Sequence, residues 1–113
     1  MLYTGKGDKG TTGTFGCDQR ISKSSAIAEA LGAMDEVNSF LGLCKIKAKE
    51  SELRVKGYEL SVEQIVNTIQ QNLFIVQAEL AGSADKAISE EKLRAVEKIV
   101  GDIEKELPPI KSF

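Results

Sequence analysis

Three stretches of this chain place apolar residues at alternating three- and four-residue steps, the spacing that puts one stripe on a helix. Ile27, Leu31, Met34, Asn38 and Leu41 predict a helix over residues 25–48, with the polar Asn38 inside the stripe. Val62, Val66, Ile69, Leu73, Val76 and Leu80 predict a second over 62–81. Leu93, Val96, Val100, Ile103 and Leu107 predict a third over 90–107. Polar punctuation agrees: Ser61 with Gln64 makes a capping box, Ser89 is an N-cap, and Pro108-Pro109 stops the third helix. Stripes of this period over two or three heptads predict shallow-angle packing, so the fold class is all-α, an antiparallel helical bundle. Gly57 and Gly82 interrupt the pattern at loops, which argues against a long coiled coil. The polar segment 50–59 reads as a mobile connection.

The pattern is absent before residue 25. Residues 4–16 hold five glycines, four threonines and two lysines. Such an arm lets backbone N–H groups converge on an anion while hydroxyl and ammonium groups supply further donors. The chain therefore divides into a Gly/Thr/Lys-rich nucleotide-binding arm, 1–24, and a helical bundle, 25–113. Gly5, Gly7 and Gly10 formally match G-x-G-x-x-G, but no strand precedes them and no helix opens on them, so the dinucleotide fold is excluded. A Walker A loop is excluded too, because Thr11-Thr12 stand where Lys-Ser/Thr is required. Thr4, Lys6, Lys9, Thr11 and Thr12 remain as phosphate donors, with Asp8 for a metal-bound water or a backbone N–H, and Lys23 for a terminal phosphate. A disordered Gly-rich terminus is the alternative.

Charge and composition sharpen this. The net charge of -2 suggests neither nucleic acid nor an anionic membrane as partner. The arm nevertheless carries Lys6, Lys9, Arg20 and Lys23 against Asp8 and Asp18, a basic tail on an acidic body that suits a small anion. With no histidine, the chain alone builds no Ser-His-Asp or Cys-His system. Cys17 and Cys44 are too few for structural zinc and read as buried or idle thiols. No metal-ligand cluster is evident. No leader and no apolar run near the ~18 residues of a membrane span are present, so a cytoplasmic protein is expected.

A second constellation lies at 29–38, Glu-Ala-Leu-Gly-Ala-Met-Asp-Glu-Val-Asn. Glu29, Gly32 and Glu36 share a face, and Asp35 and Asn38 are one turn apart. A solvated acidic face is the alternative to a ligand site. Gln70 and Asn72 read as surface or inter-helix polar contacts.

Four ordered segments carry a resemblance over essentially the whole chain. They are Tyr-Thr-Gly-Lys-Gly-Asp-Lys-Gly-Thr-Thr-Gly (3–13), Arg-Ile-Ser-Lys (20–23), the 29–38 segment and Ile-Gln-Gln-Asn-Leu-Phe (69–74). The terminal Leu-Pro-Pro-Ile-Lys-Ser-Phe (107–113) fits as well. Together they resemble the ATP:cob(I)alamin adenosyltransferases of the propanediol-utilisation type. The resemblance implies a five-helix bundle that forms a homotrimer, with ATP, Mg2+ and cobalamin as ligands at subunit interfaces. It implies an arm that folds over ATP when ligand is present, with Thr4, Gly5, Lys6, Gly7, Asp8, Lys9, Gly10, Thr11 and Thr12 around the triphosphate. Lys23 would meet a phosphate, and Glu29 joins the nucleotide set. Asp35 would form an inter-subunit ion pair that shapes the nucleotide site, and Phe113 would exclude the corrinoid's lower axial ligand. Cobalt(I) would attack the ribose 5′-carbon of ATP and triphosphate would leave.

The chain departs from that pattern at its C-terminal side. About three of the five helices are expected here, and the family's following arginine helix is not among these residues; the arginines are Arg20, Arg54 and Arg94. The alternative to an enzyme is therefore a non-catalytic nucleotide-binding or oligomerisation remnant. Either reading expects the apolar helix faces to be covered by further chain or another subunit.

Overall fold

The computed structural model describes residues 2–15 and 20–112. It contains a two-stranded antiparallel ribbon, β1 (Thr11–Thr12) and β2 (Ile21–Ser22), then three helices, α1 (Ala26–Glu50), α2 (Val62–Leu80) and α3 (Glu90–Glu106). Each helix begins at a serine, whose hydroxyl accepts a backbone N–H that the first turn leaves unpaired. Ser25 accepts from Ala28, Ser61 from Gln64 and Ser89 from Lys92. At Ser61 the capping box is complete, because the Gln64 side chain accepts the Ser61 N–H at 2.8 Å. Ser61→Ala should lower stability by about 1 kcal/mol, read as a shift in the urea midpoint.

The first two helices end alike. After α1, Leu53 N–H donates to Ala48 and Glu52 N–H to Lys49, while Glu52 takes φ 51°. After α2, Ser83 N–H donates to Ala78 and Gly82 N–H to Glu79, with Gly82 at φ 95°. Both are Schellman closures, which satisfy carbonyls that the last turn orphans. The segment 50–59, expected to be a mobile connection, carries a bridge from Arg54 to Ser61 and accepts at Leu53 from Val62 N–H.

α1 and α2 form an antiparallel pair in a constant register. Asp35 meets Gln77, Gly42 approaches Gln70, Lys45 bonds Asn67 and Lys49 faces Glu63. Each step forward on α1 is matched by an equal step back on α2. Gln70, expected as a surface or inter-helix contact, donates to the Asn38 carbonyl at 3.0 Å. Ala48, Ile65 and Val66 are buried in this part of the fold.

α3 makes no comparable contact with α1 or α2 among the described residues. Its C-terminal half lies along 55–60, where Lys98 sits 5.4 Å from the Tyr58 ring centre. Its stripe also differs from the expected one. Val96, Ile99 and Ile103 are the sheltered positions, whereas Leu93, Val100 and Leu107 are exposed. Ile99 supplies the difference: it continues a second apolar row one residue away from the first.

The accessible surface is 9008 Å² and the radius of gyration 17.9 Å. A compact monomer of this mass would have ~6100 Å² and ~13 Å. Exposed apolar residues include Val37, Phe40, Leu43 and Ile46 on one face of α1. No helix is long and apolar enough to cross a membrane among the described residues.

Candidate nucleotide arm and adjoining cleft

The described residues of the glycine-rich arm form two turns and a short ribbon. Asp8 N–H donates to Gly5 and Gly10 N–H to Gly7, making two overlapping turns. β1 then pairs with β2 through Thr11–Ser22 and Thr12–Ile21, and Lys23 N–H donates to Gly10 at 2.8 Å. Pairing in this register returns Lys23 to the turns. Its ammonium occupies the space a side chain at residue 7 would need: a Cβ on Gly7 would lie 3.1 Å from Lys23 Nζ and 3.0 Å from the Thr11 carbonyl.

Other arm residues brace this shape. The Tyr3 hydroxyl donates to Asp8 Oδ2 at 2.9 Å, and Lys6 N–H reaches Thr4 Oγ1 at 3.5 Å. Arg20 donates to both Thr11 Oγ1 and the Thr11 carbonyl, at 2.9 and 2.8 Å. Sequence reasoning counted Arg20 only in the charge of the arm and in the 20–23 segment; its contact depends on a ribbon of two-residue strands, too short to show a period. Lys6 and Lys9 are exposed, and neither they nor Lys23 joins an ion pair among the described residues. The result is a basic turn with three lysines beside it.

Glu29 stands exposed in the first turn of α1 and makes no side-chain contact with the arm among the described residues. Asp35 is at a second place. It lines a cleft of about 600 Å³ with Phe15, Leu31, Asn38, Phe74 and Gln77. Its Oδ1 accepts from Gln77 Nε2 at 2.6 Å. Asn38 Oδ1, one turn on, is buried without a partner among the described residues. The arm reaches this cleft through Phe15, whose N–H donates to Ala81 at 2.9 Å where α2 ends. Phe15, Phe74, Gln77 and Gly82 were not singled out as site residues from sequence, although Phe74 closes the 69–74 segment. Phe113 and Cys17 lie outside the described residues. Cys44, expected to be buried or idle, is free and exposed on the outer face of α1.

Perturbed charge lies elsewhere. The hydrogen bond from Lys98, then its charge, holds the Asp102 carboxyl below its usual range, and the same bond raises Lys98. Lys105 also reaches Asp102, at 3.4 Å. These groups border a cleft of about 670 Å³ against residues 55–60, satisfy one another on the surface, and contain no arm residue.

Known proteins resemble this chain over nearly its whole length. The family model described as cobalamin adenosyltransferase matches residues 2–113. The chain is 36% identical over 118 residues to the corrinoid adenosyltransferase PduO of Citrobacter freundii, covering 99% of this chain and 32% of that protein. It is 34% identical over 118 residues to another Citrobacter freundii corrinoid adenosyltransferase, covering 99% and 61%. Among solved structures, a phenylalanine-to-histidine variant of the PduO-type ATP:corrinoid adenosyltransferase from Lactobacillus reuteri, complexed with cobalamin and ATP, superposes with a TM-score of 0.78. Identity there is 26%, covering 100% of this chain and 60% of that one. The chain thus spans between about a third and three fifths of the length of these proteins. With its arm, its helices and its motifs all inside the matched span, the chain belongs to the cobalamin adenosyltransferase family.

Proposed function

We propose that this chain serves transfer of the 5′-deoxyadenosyl group from ATP to the cobalt of a reduced corrinoid, with release of triphosphate. The observation that carries the reading is the arm: the turns from Gly5 to Gly10 with the Lys23 ammonium folded against Gly7. A triphosphate leaving group concentrates negative charge as its bond to carbon breaks. Preset N–H and ammonium donors stabilise that charge without reorganising. Lys6, Lys9 and Lys23 supply cations, the turns supply amides, and Thr4, Thr11 and Thr12 supply hydroxyls.

In this reading cobalt(I) provides the electron pair, the Co–C bond forms at the ribose 5′-carbon, and the C–O bond to triphosphate breaks. The chain's task is alignment, and no general base is required, in keeping with a sequence without histidine. The Asp35 cleft, with its apolar walls of Phe15, Leu31 and Phe74, is the surface offered to the second substrate. Asp35 takes a cation there, Glu29 belongs to the nucleotide side, and Phe113 borders the corrinoid. Magnesium arrives on the nucleotide, and Asp8, which keeps acceptor positions beyond its bond from Tyr3, faces it or its bound water. A homotrimer in the cytoplasm completes the proposal; the uncovered apolar faces of α1 and α3 call for cover by further chain or another subunit.

The test is anaerobic mixing of the chain with MgATP and chemically reduced cob(I)alamin, following the corrinoid spectrum. Conversion to the adenosyl form supports transfer. MgATP binding without conversion supports a nucleotide-binding remnant instead. Lys9→Ala should weaken MgATP binding by about 1.5–3 kcal/mol through loss of a charge-assisted contact, measured by titration calorimetry. An unchanged affinity would remove Lys9 from the nucleotide set.

A further inference from the structure

We infer that Gln77 is a positioning residue: its side-chain amide aims the Asp35 carboxylate into the adjoining cleft while leaving the carboxylate charge intact. This rests on the functional reading above, in which that cleft receives the second substrate and Asp35 meets a cation there.

The geometry begins with the register of α1 and α2, which sets residue 77 opposite residue 35. Asp35 is exposed, and an exposed aspartate on a helix samples several rotamers. The 2.6 Å bond from Gln77 Nε2 to Asp35 Oδ1 removes that freedom. Its length is that of a charge-assisted contact, shorter than the Lys45–Asn67 bond at 3.2 Å or the Lys49–Glu63 pair at 3.8 Å on the same seam. Those two pairs lie farther along the seam and do not line the cleft; Asp35 and Gln77 both do.

The chemistry of an amide explains the residue type. A carboxylate has two oxygens and about four acceptor positions. Gln77 occupies one position on Oδ1 and leaves the net negative charge for a cation or donor entering the cleft. A lysine at 77 could hold the same oxygen but would neutralise it. A leucine would release it. Seam packing alone asks only for a side chain of this size, so the two roles separate experimentally.

The experiment is a double-mutant cycle on the full chain with Gln77→Leu, Asp35→Ala and the double variant, alongside Gln77→Lys. Its readouts are kcat, KM for MgATP, equilibrium binding of cobalamin and the thermal midpoint. Gln77→Leu should lower kcat or cobalamin affinity about ten-fold or more, with KM for MgATP held within about two-fold. In the Asp35→Ala background the same change should add nothing beyond about two-fold. Gln77→Lys keeps a polar contact to Asp35 and guards against a folding artefact; it should lose function while retaining its melting temperature. Wild-type transfer with an active Gln77→Leu or Gln77→Lys overturns the inference alone. An equal Gln77→Leu loss with and without Asp35 also overturns it, because Gln77 then acts by another route. A wild-type chain that neither binds cobalamin nor transfers overturns the functional reading, and this inference with it.

Discussion

Gly7→Val should cost about 30-fold or more in MgATP affinity while leaving the helices intact. The reason is space. The first atom added at residue 7 would fall 3.0 Å from the Thr11 carbonyl, 3.1 Å from Lys23 Nζ and 3.2 Å from Lys23 Cε. Lysine is flexible and can withdraw, but the Thr11 carbonyl is fixed by β1–β2 pairing and by Arg20. Relief therefore comes from Lys23 leaving the turn and from the turn itself opening. Both losses fall on the groups that would face a triphosphate. Lys23→Ala is the calibrating variant, because it removes the ammonium while the turn survives; its loss should be the smaller, about ten-fold. Titration calorimetry gives both affinities, and far-UV circular dichroism reports whether α1 to α3 persist. Wild-type affinity in Gly7→Val would mean that the turn does not hold nucleotide in this shape.

The helices were legible in the sequence because apolar spacing marked all three, with caps at Ser61 and Ser89 and a proline stop after the third. All three predicted starts agree with the observed ones to within a residue. The packing of α3 was less legible. Leu93, Val100 and Leu107 form one apolar row and Val96, Ile99 and Ile103 another, and spacing alone does not say which row turns inward. The arm's composition was legible but its shape was not. Its donors are evident from composition, yet two-residue strands carry no period, so the ribbon that returns Lys23 to Gly7 had no signature. Asp35 was placed by resemblance, whereas Gln77 was not singled out. Its role depends on a register between helices that sequence reading had paired but not aligned. Phe15 and Gly82 are a similar case, since their meeting joins the arm to a helix end more than sixty residues away.

That meeting gives the largest structural effect expected in the chain. Gly82→Val should detach the arm from the end of α2. Gly82 closes the α2 Schellman motif at φ 95°, a conformation that residues with a Cβ rarely adopt. A left-handed conformation costs a non-glycine residue about 1–2 kcal/mol before any clash. The clash is severe as well: a Cβ at residue 82 would stand 2.7 Å from the Phe15 carbonyl oxygen, a backbone atom that cannot rotate aside. The chain can relieve both strains together only by moving residue 15 or by reopening the helix end. The first breaks the Phe15 N–H bond to Ala81, and the second breaks the Ser83 and Gly82 bonds to Ala78 and Glu79. Amide hydrogen exchange separates these routes. Loss of Phe15 protection by about ten-fold or more, with the α2 end still protected, means that the arm has come away. Loss at Gly82 and Ser83 means that the helix has frayed instead. Because Phe15 also walls the Asp35 cleft, arm release should lower cobalamin binding as well as MgATP binding, whereas Gly7→Val should act on the nucleotide alone. Unchanged exchange at all three amides would show that the arm does not cross α2 at Gly82.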